Sequence, residues 1–192
     1  GTASGREIFN AGMRGQKGSE YDGGHRVPFF LHWPAGGMNK KHVVETLCHA
    51  VDVAPTLLEL TGSEKPKGYK FDGISIASLL KPGSKTQWAE RMLITDSQRV
   101  RDPIKWRKSS VMSQRWRLVN GQELYDIEKD PGQAKNVAKE NPKQVEKMKA
   151  FYDKWWAELE PTFAETTELH VGHKDHPVVS LTSHDWIQEA GT

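Results

Sequence analysis

The residues best placed to do chemistry lie between Gly12 and Pro28, in the run Gly12-Met-Arg14-Gly15-Gln-Lys17-Gly18-Ser-Glu20-Tyr21-Asp22-Gly23-Gly24-His25-Arg26-Val27-Pro28. Glycines flank Lys17 closely on both sides, so the backbone there can fold tightly and present an ammonium without crowding. Arg14, Lys17 and Arg26 have the charge and the donors to hold an anion such as sulfate, phosphate or carboxylate. A solvated basic loop with no ligand satisfies the same residues. The run is not a P-loop, because it lacks Gly-x-x-x-x-Gly-Lys-Ser/Thr. A second cluster, His170-x-x-His173-x-x-His176 with His184-Asp185, has enough imidazoles for a transition metal. Its spacing does not bring all three onto one helical face, and Gly172 and Pro177 oppose a helix, so it reads as a polar tail.

The elements that must position the first run follow it in the chain. Residues 1–26 are Gly-rich and polar and predict a long loop, a length found mostly in functional or disordered segments. Val27–Trp33 is a short apolar run ended by Pro34; bulky residues on both alternating faces predict a strand covered on both sides, as in an α/β sheet. Val51–Leu60 predicts a helix with Asp52 as N-cap, Pro55 in the first turn and Gly62 as the stop. Ile74–Leu80 predicts a further helical turn or two. From residue 91 the pattern changes to short strands at Met92–Thr95, Ser109–Ser113, Trp116–Val119 and Gln122–Asp126. The last two flank Asn120-Gly121, the strongest short-range hairpin signal, because a type I′ turn needs positive φ at both central residues. Asp130-Pro131-Gly132 reads as a turn. Asn141 then predicts the cap of a helix with Pro142 at its first position. Val145, Met148, Tyr152, Trp155 and Leu159 form its apolar stripe, which should lie on the hairpin sheet.

Length and composition narrow the classes. The 192 residues correspond to about one to one and a half domains and suffice to bury a core. Lys plus Arg number 27 and Asp plus Glu 25, a net charge of +2 that supports no nucleic-acid or membrane partner. The single cysteine, Cys48, excludes an intramolecular disulfide framework and a thiolate zinc cluster. No run approaches a membrane span, and the first residues have no apolar signal-peptide core. Seven tryptophans raise a carbohydrate-binding module with exposed stacking platforms. Trp155 reads as core and Trp33 as the end of a buried strand, leaving Trp88, Trp106, Trp116 and Trp186 freer.

Four blocks in order resemble one family. Gly15-Gln-Lys17-Gly-Ser-Glu-Tyr21-Asp-Gly23-Gly24-His25-Arg26-Val-Pro28, with the following Trp33-Pro34, is similar to the C-terminal signature of sulfatases of the arylsulfatase type. Val51-Asp52-Val-Ala-Pro55-Thr56-Leu57-Leu58-Glu-Leu60-Thr-Gly62 resembles the family's Asp-x-x-Pro-Thr-Leu-Leu helix. Phe71-Asp72-Gly73-Ile-Ser-Ile-Ala-Ser-Leu79-Leu80 is similar to its Asp-Gly-x-Ser-Leu-x-x-Leu-Leu segment, and Glu123-Leu124-Tyr125-Asp126 through Asp130-Pro131 to its late hairpin and turn.

The resemblance implies the C-terminal part of an alkaline-phosphatase-like α/β fold, with a small α+β subdomain of antiparallel sheet and one packed helix. The expected division is residues 1–90 as the end of the α/β domain with the Lys17 sulfate loop, 91–160 as the C-terminal α+β subdomain, and 161–192 as a tail or the start of an extension. It also implies hydrolysis of an aryl or carbohydrate sulfate ester by a formylglycine made from cysteine or serine, beside a divalent cation, usually calcium. Of the family's site residues, the sulfate-contacting lysine maps onto Lys17. His25 falls where the family varies and is a pocket-lining candidate. Arg26 matches a frequent family position, as loop support more than substrate contact. Cys48 is followed by His49-Ala50-Val51 and lacks the arginine of the formylglycine motif, so it reads as a small buried hydrophobe. The family's Asp-Asn metal pair would fall immediately before Gly1. The expectation is therefore a C-terminal fragment, inactive alone, with no metal of its own, whose partner is the missing N-terminal part of the same protein. The parent would be periplasmic or secreted. A phosphodiesterase or phosphonate hydrolase of the same superfamily is the remaining alternative, and the segment upstream of Gly1 separates the two.

Overall fold

A computed structural model describes residues 8–164 except positions 82, 85, 87 and 99, together with residue 175. Apart from Asp175, the stretch that holds the His170–His184 cluster lies outside the described residues, as does Trp186. The expected four-stranded antiparallel sheet with one packed helix is present. Its strands are β1 (Leu93–Asp96), β2 (Ser109–Met112), β3 (Trp116–Val119) and β4 (Glu123–Asp126), in the order β1-β2-β3-β4. At the β3–β4 turn Asn120 has φ 49° and Gly121 φ 66°, the type I′ geometry that Asn-Gly favours.

The pairing register sorts the side chains onto two faces, because successive residues of a strand point to opposite sides. Val111, Leu118 and Leu124 lie in one row and meet the helix α3 (Pro142–Leu159) through Met148, Tyr152 and Trp156. These three helical residues sit at four-residue steps and so line one face. Burying each large apolar side chain stabilises the fold by about 1.5–3 kcal/mol. Trp156 rather than Trp155 is the fully buried member of the pair, since the stripe drifts around a 3.6-residue helix. Asn141 does not cap α3 with its side chain; its Nδ2 donates to Val137 O at 2.9 Å, and its carbonyl receives the first helical N–H groups.

The opposite face carries Ser110, Met112, Arg117, Val119, Glu123 and Tyr125. It is covered by residues 14–25, which include the short helix α1 (Asp22–His25). This cover explains why β2 is buried along its whole length.

α2 (Val53–Thr61) ends as expected at Gly62, φ 65°. Ser63 N–H donates to Leu58 O and Gly62 N–H to Glu59 O, closing a Schellman motif. A 3-10 turn, Ala50–Asp52, precedes it, and another, Ala77–Leu79, stands where one or two helical turns were expected. Asp52 does not cap α2; it is buried and accepts from His49 N–H and Ile74 N–H while Arg91 chelates both its oxygens. Burial pushes its carboxyl up, but Arg91 and the two amides outweigh this and hold it below the usual carboxylate range.

The strand expected at Val27–Trp33 does not form. Among the described residues its only bridge is Trp33 to Met38, and Val27, Phe29 and Phe30 are 62%, 59% and 90% exposed. A strand buried on two faces needs neighbours for its ladder and layers over both sides; the described residues supply neither.

Trp106 is not free: its ring stacks on Tyr152 at 3.7 Å. Trp156 packs edge-on against Phe163. Trp88 and Trp116 lie beneath the guanidiniums of Arg91 and Arg115. Most described tryptophans therefore pack, which leaves few platforms for sugar rings.

Candidate functional site: the Lys17 loop

The Lys17 loop is wound so tightly that two glycines have backbone where a side chain would begin. A Cβ on Gly23 would stand 2.5 Å from Arg14 O, and one on Gly24 would stand 2.0 Å from Ser19 O. The Gly23 N–H donates to Arg14 O at 2.8 Å, closing residues 14–23 into a lobe. Lys17 is at the exposed side of this lobe, between Gly15 and Gly18, both at φ 85°.

The two limbs of the lobe are tied to the sheet through partners about a hundred residues away. On one limb Arg14 Nη1 donates to Tyr125 Oη at 2.7 Å and to Gln133 O at 3.1 Å, and Nη2 donates to Tyr21 Oη at 3.0 Å. Both phenols in turn donate to Glu123 Oε2, Tyr21 at 2.8 Å and Tyr125 at 2.7 Å. Burial and the Glu123 carboxylate push the Tyr21 phenol up to about 12 and raise that of Tyr125 further. These phenols stay neutral donors; neither is poised as a base.

On the other limb Asp22, 1% exposed, accepts from Arg117 Nε at 2.9 Å, and its own N–H donates to Gln133 Oε1 at 2.8 Å. Burial raises the Asp22 carboxyl, but His25 and Arg117 outweigh that and hold it below the usual range. Arg117, 5% exposed, gives Nη1 to Ser113 O and Trp116 O. Glu20 Oε1 accepts from Asn120 Nδ2 at 2.8 Å.

The candidate residues therefore separate. Lys17 is exposed and available. His25 turns inward, its side chain 15% exposed, with Nε2 3.4 Å from Asp22 Oδ1, so it props the helix. Arg26 is exposed; its N–H closes α1 onto Asp22 O at 2.8 Å. Arg14 is not free for an anion, because its guanidinium is engaged by Tyr21, Tyr125 and Gln133. The sequence reading missed Asp22, Arg117, Glu123 and Gln133 as holders of the loop. No local pattern marks them, since each acts across the fold.

Among the described residues no three His, Cys, Asp or Glu side chains converge to hold a metal ion. The donors that these described residues present do not fit a divalent cation. Cys48 is half-buried, its thiol pushed up by burial and donating to Thr46 O at 3.2 Å, the opposite of an activated nucleophile. No described helix is long and apolar enough to cross a membrane.

Comparison with known proteins bears on what this lobe belongs to. A family model described as N-sulphoglucosamine sulphohydrolase, C-terminal, matches residues 16–160, from just before Lys17 to the end of α3. A sulfatase of Formosa agariphila is 31% identical over 151 residues, covering 70% of this chain and 27% of its own length. A Delta 4,5-hexuronate-2-O-sulfatase of Bacteroides thetaiotaomicron is 32% identical over 128 residues, covering 64% of this chain and 26% of its own. The solved structure of a 2-O GAG sulfatase has 26% identity and a TM-score of 0.40, over 58% of this chain and 25% of that one. The chain thus spans about a quarter of the length of these two curated relatives. With the match running through more than half of its residues, the chain belongs to the N-sulphoglucosamine sulphohydrolase C-terminal family, a sulfatase domain.

Proposed function

We propose that this domain is the C-terminal portion of a sulfatase that hydrolyses a sulfate ester, a carbohydrate sulfate as the likeness to the hexuronate-2-O-sulfatase suggests, and that Lys17 contacts the sulfate. The observation that carries the reading is the exposed ammonium of Lys17 on a lobe whose limbs are both anchored to the sheet. An ammonium so held meets the charge that grows on the sulfate oxygens and the departing alkoxide without reorganising, which is how fixed cations lower a barrier. Arg26 and His25 support the loop. The nucleophile and the cation site belong to the rest of the parent, and the exposed Val27–Phe30 run is where that remainder packs. On this reading residues 1–90 complete the α/β domain, 91–160 form the α+β subdomain, and the parent works in the periplasm or outside the cell.

Two measurements test this. The 192-residue protein should not hydrolyse 4-nitrophenyl sulfate with or without calcium; metal-dependent turnover would overturn the fragment reading. In the full-length parent, Lys17→Ala should lower kcat/KM by roughly 10²–10³, the usual loss of one transition-state charge contact. Its melting temperature should not move. Activity within threefold of the parent would remove Lys17 from the site.

A further inference from the structure

Two contacts lead from the Lys17 loop around the end of the sheet to a second cationic segment. Glu20 accepts from Asn120, Asn120-Gly121 is the β3–β4 turn, and the indole of Trp106 lies on that turn, 2.8 Å from where a Cβ on Gly121 would stand. The β1–β2 connection therefore borders the Lys17 loop across one two-residue turn. Residues 101–108 hold Arg101, Lys105, Arg107 and Lys108 against one acid, Asp102. Lys105 pairs with Asp153 at 2.8 Å. Among the described residues, Arg101, Arg107 and Lys108 form no ion pair.

The connection is set in place. Trp106 at φ 65° and Lys108 at φ 50° occupy a left-handed conformation unfavourable to bulky side chains, one that persists only where the surroundings enforce it. The enforcing contacts are the Trp106–Tyr152 stack, Trp106 N–H to Tyr152 Oη at 3.1 Å, Ile104 N–H to Gln98 Oε1 at 2.7 Å, and Ser97 N–H to Lys108 O at 3.1 Å.

We propose that this connection is a second anion-binding element, in which Arg101, Arg107 and Lys108 engage carboxylate or sulfate groups on sugars flanking the ester held at Lys17; the flanking geometry rests on the function proposed above. Guanidiniums present paired donors to a planar carboxylate or a sulfate face. A nucleic-acid strand is the poorer fit, because base stacking needs an open aromatic face, whereas Trp106 gives one face to Tyr152 and packs on Gly121.

The test is calorimetric titration of the 192-residue chain at low salt with a heparin-derived tetrasaccharide, its desulfated counterpart, and single-stranded DNA of equal charge. Arg101→Gln/Arg107→Gln/Lys108→Gln should weaken tetrasaccharide binding roughly tenfold, while Lys143→Gln/Lys149→Gln/Lys154→Gln on α3 changes it less than twofold. Binding that survives desulfation assigns the contact to carboxylates, and binding that does not assigns it to sulfates; either supports the element. Because Arg107 is half-buried, the exposed pair Arg101→Gln/Lys108→Gln provides a variant that keeps the packing and should show part of the loss. Equal weakening by the loop and α3 variants, no binding by the unmodified chain, or tighter binding of DNA overturns the proposal. Lys17→Ala separates the two readings: if it abolishes binding and the loop variants do not, Lys17 stands and this element falls.

Discussion

Asp22→Asn tests the claim that the Lys17 loop is held by a buried charge pair. Asparagine keeps the shape of the side chain and an oxygen to accept from Arg117 Nε, but removes the negative charge opposite a guanidinium that is itself 5% exposed. Removing one partner of a buried pair costs about 3–5 kcal/mol, because the other charge is left without compensation. The retained hydrogen bond returns about 1 kcal/mol, so the loss should be about 2–4 kcal/mol. For a chain of this size each kcal/mol lowers Tm by roughly 2–4 °C, which places the variant roughly 4–16 °C below the parent at pH 7. The pH dependence gives a second arm. The folded Asp22 carboxyl titrates below its ordinary value, so its contribution is complete above the unfolded value of about 3.9 and is lost as pH falls through the folded one. The gap between parent and variant should therefore be constant from pH 7 to pH 5 and close in stronger acid. Amide exchange reports the loop itself: the Gly23 N–H, donated to Arg14 O, should exchange faster in the variant. Replacing both charges, Asp22→Leu with Arg117→Met, should recover much of the loss, since an apolar pair carries no desolvation penalty. Melting within 2 °C of the parent, or an equal gap at pH 7 and pH 3, would refute the argument.

Two further outcomes follow from the same geometry. Tyr21 is pushed up to about 12, above its unfolded value of about 10, so the network should be fully stabilising below pH 10 and weaken as pH rises toward 12; ultraviolet titration of phenolate beside Tyr21→Phe measures it, and normal Tyr21 ionisation near pH 10 would contradict it. Gly121→Ala forces a side chain into φ 66° and within 2.8 Å of the Trp106 ring, and should cost about 2 kcal/mol in urea denaturation; a neutral result would mean that the turn does not support the β1–β2 connection.

What was legible in the sequence was local. Asn120-Gly121 announces its turn because two positive φ values are needed in succession, and α3 announces its stripe because helical periodicity repeats over five turns. The Gly62 stop and the four short strands are readable for the same reason. The holders of Lys17 were hidden because they act over long separations: nothing around Asp22, set among glycines, distinguishes a buried anion from a solvated one until Arg117 is brought over it. Arg14 was misread by the same blindness, its charge suggesting a ligand while two tyrosines and a carbonyl already claimed it. The Val27–Trp33 run shows the converse error. Apolar content there records a tendency to be covered, and composition cannot say which part of a protein does the covering.

The span of the clasp also sets an order of events during synthesis. Arg14 and its partner Gln133 are 119 positions apart. At about 5–20 residues per second, the segment carrying Lys17 leaves the ribosome roughly 6–24 s before the residue that fixes one of its limbs. Through that interval the lysine has no defined place, so its loop should be among the last parts of this domain to acquire shape and among those most exposed to proteases in a nascent or truncated chain.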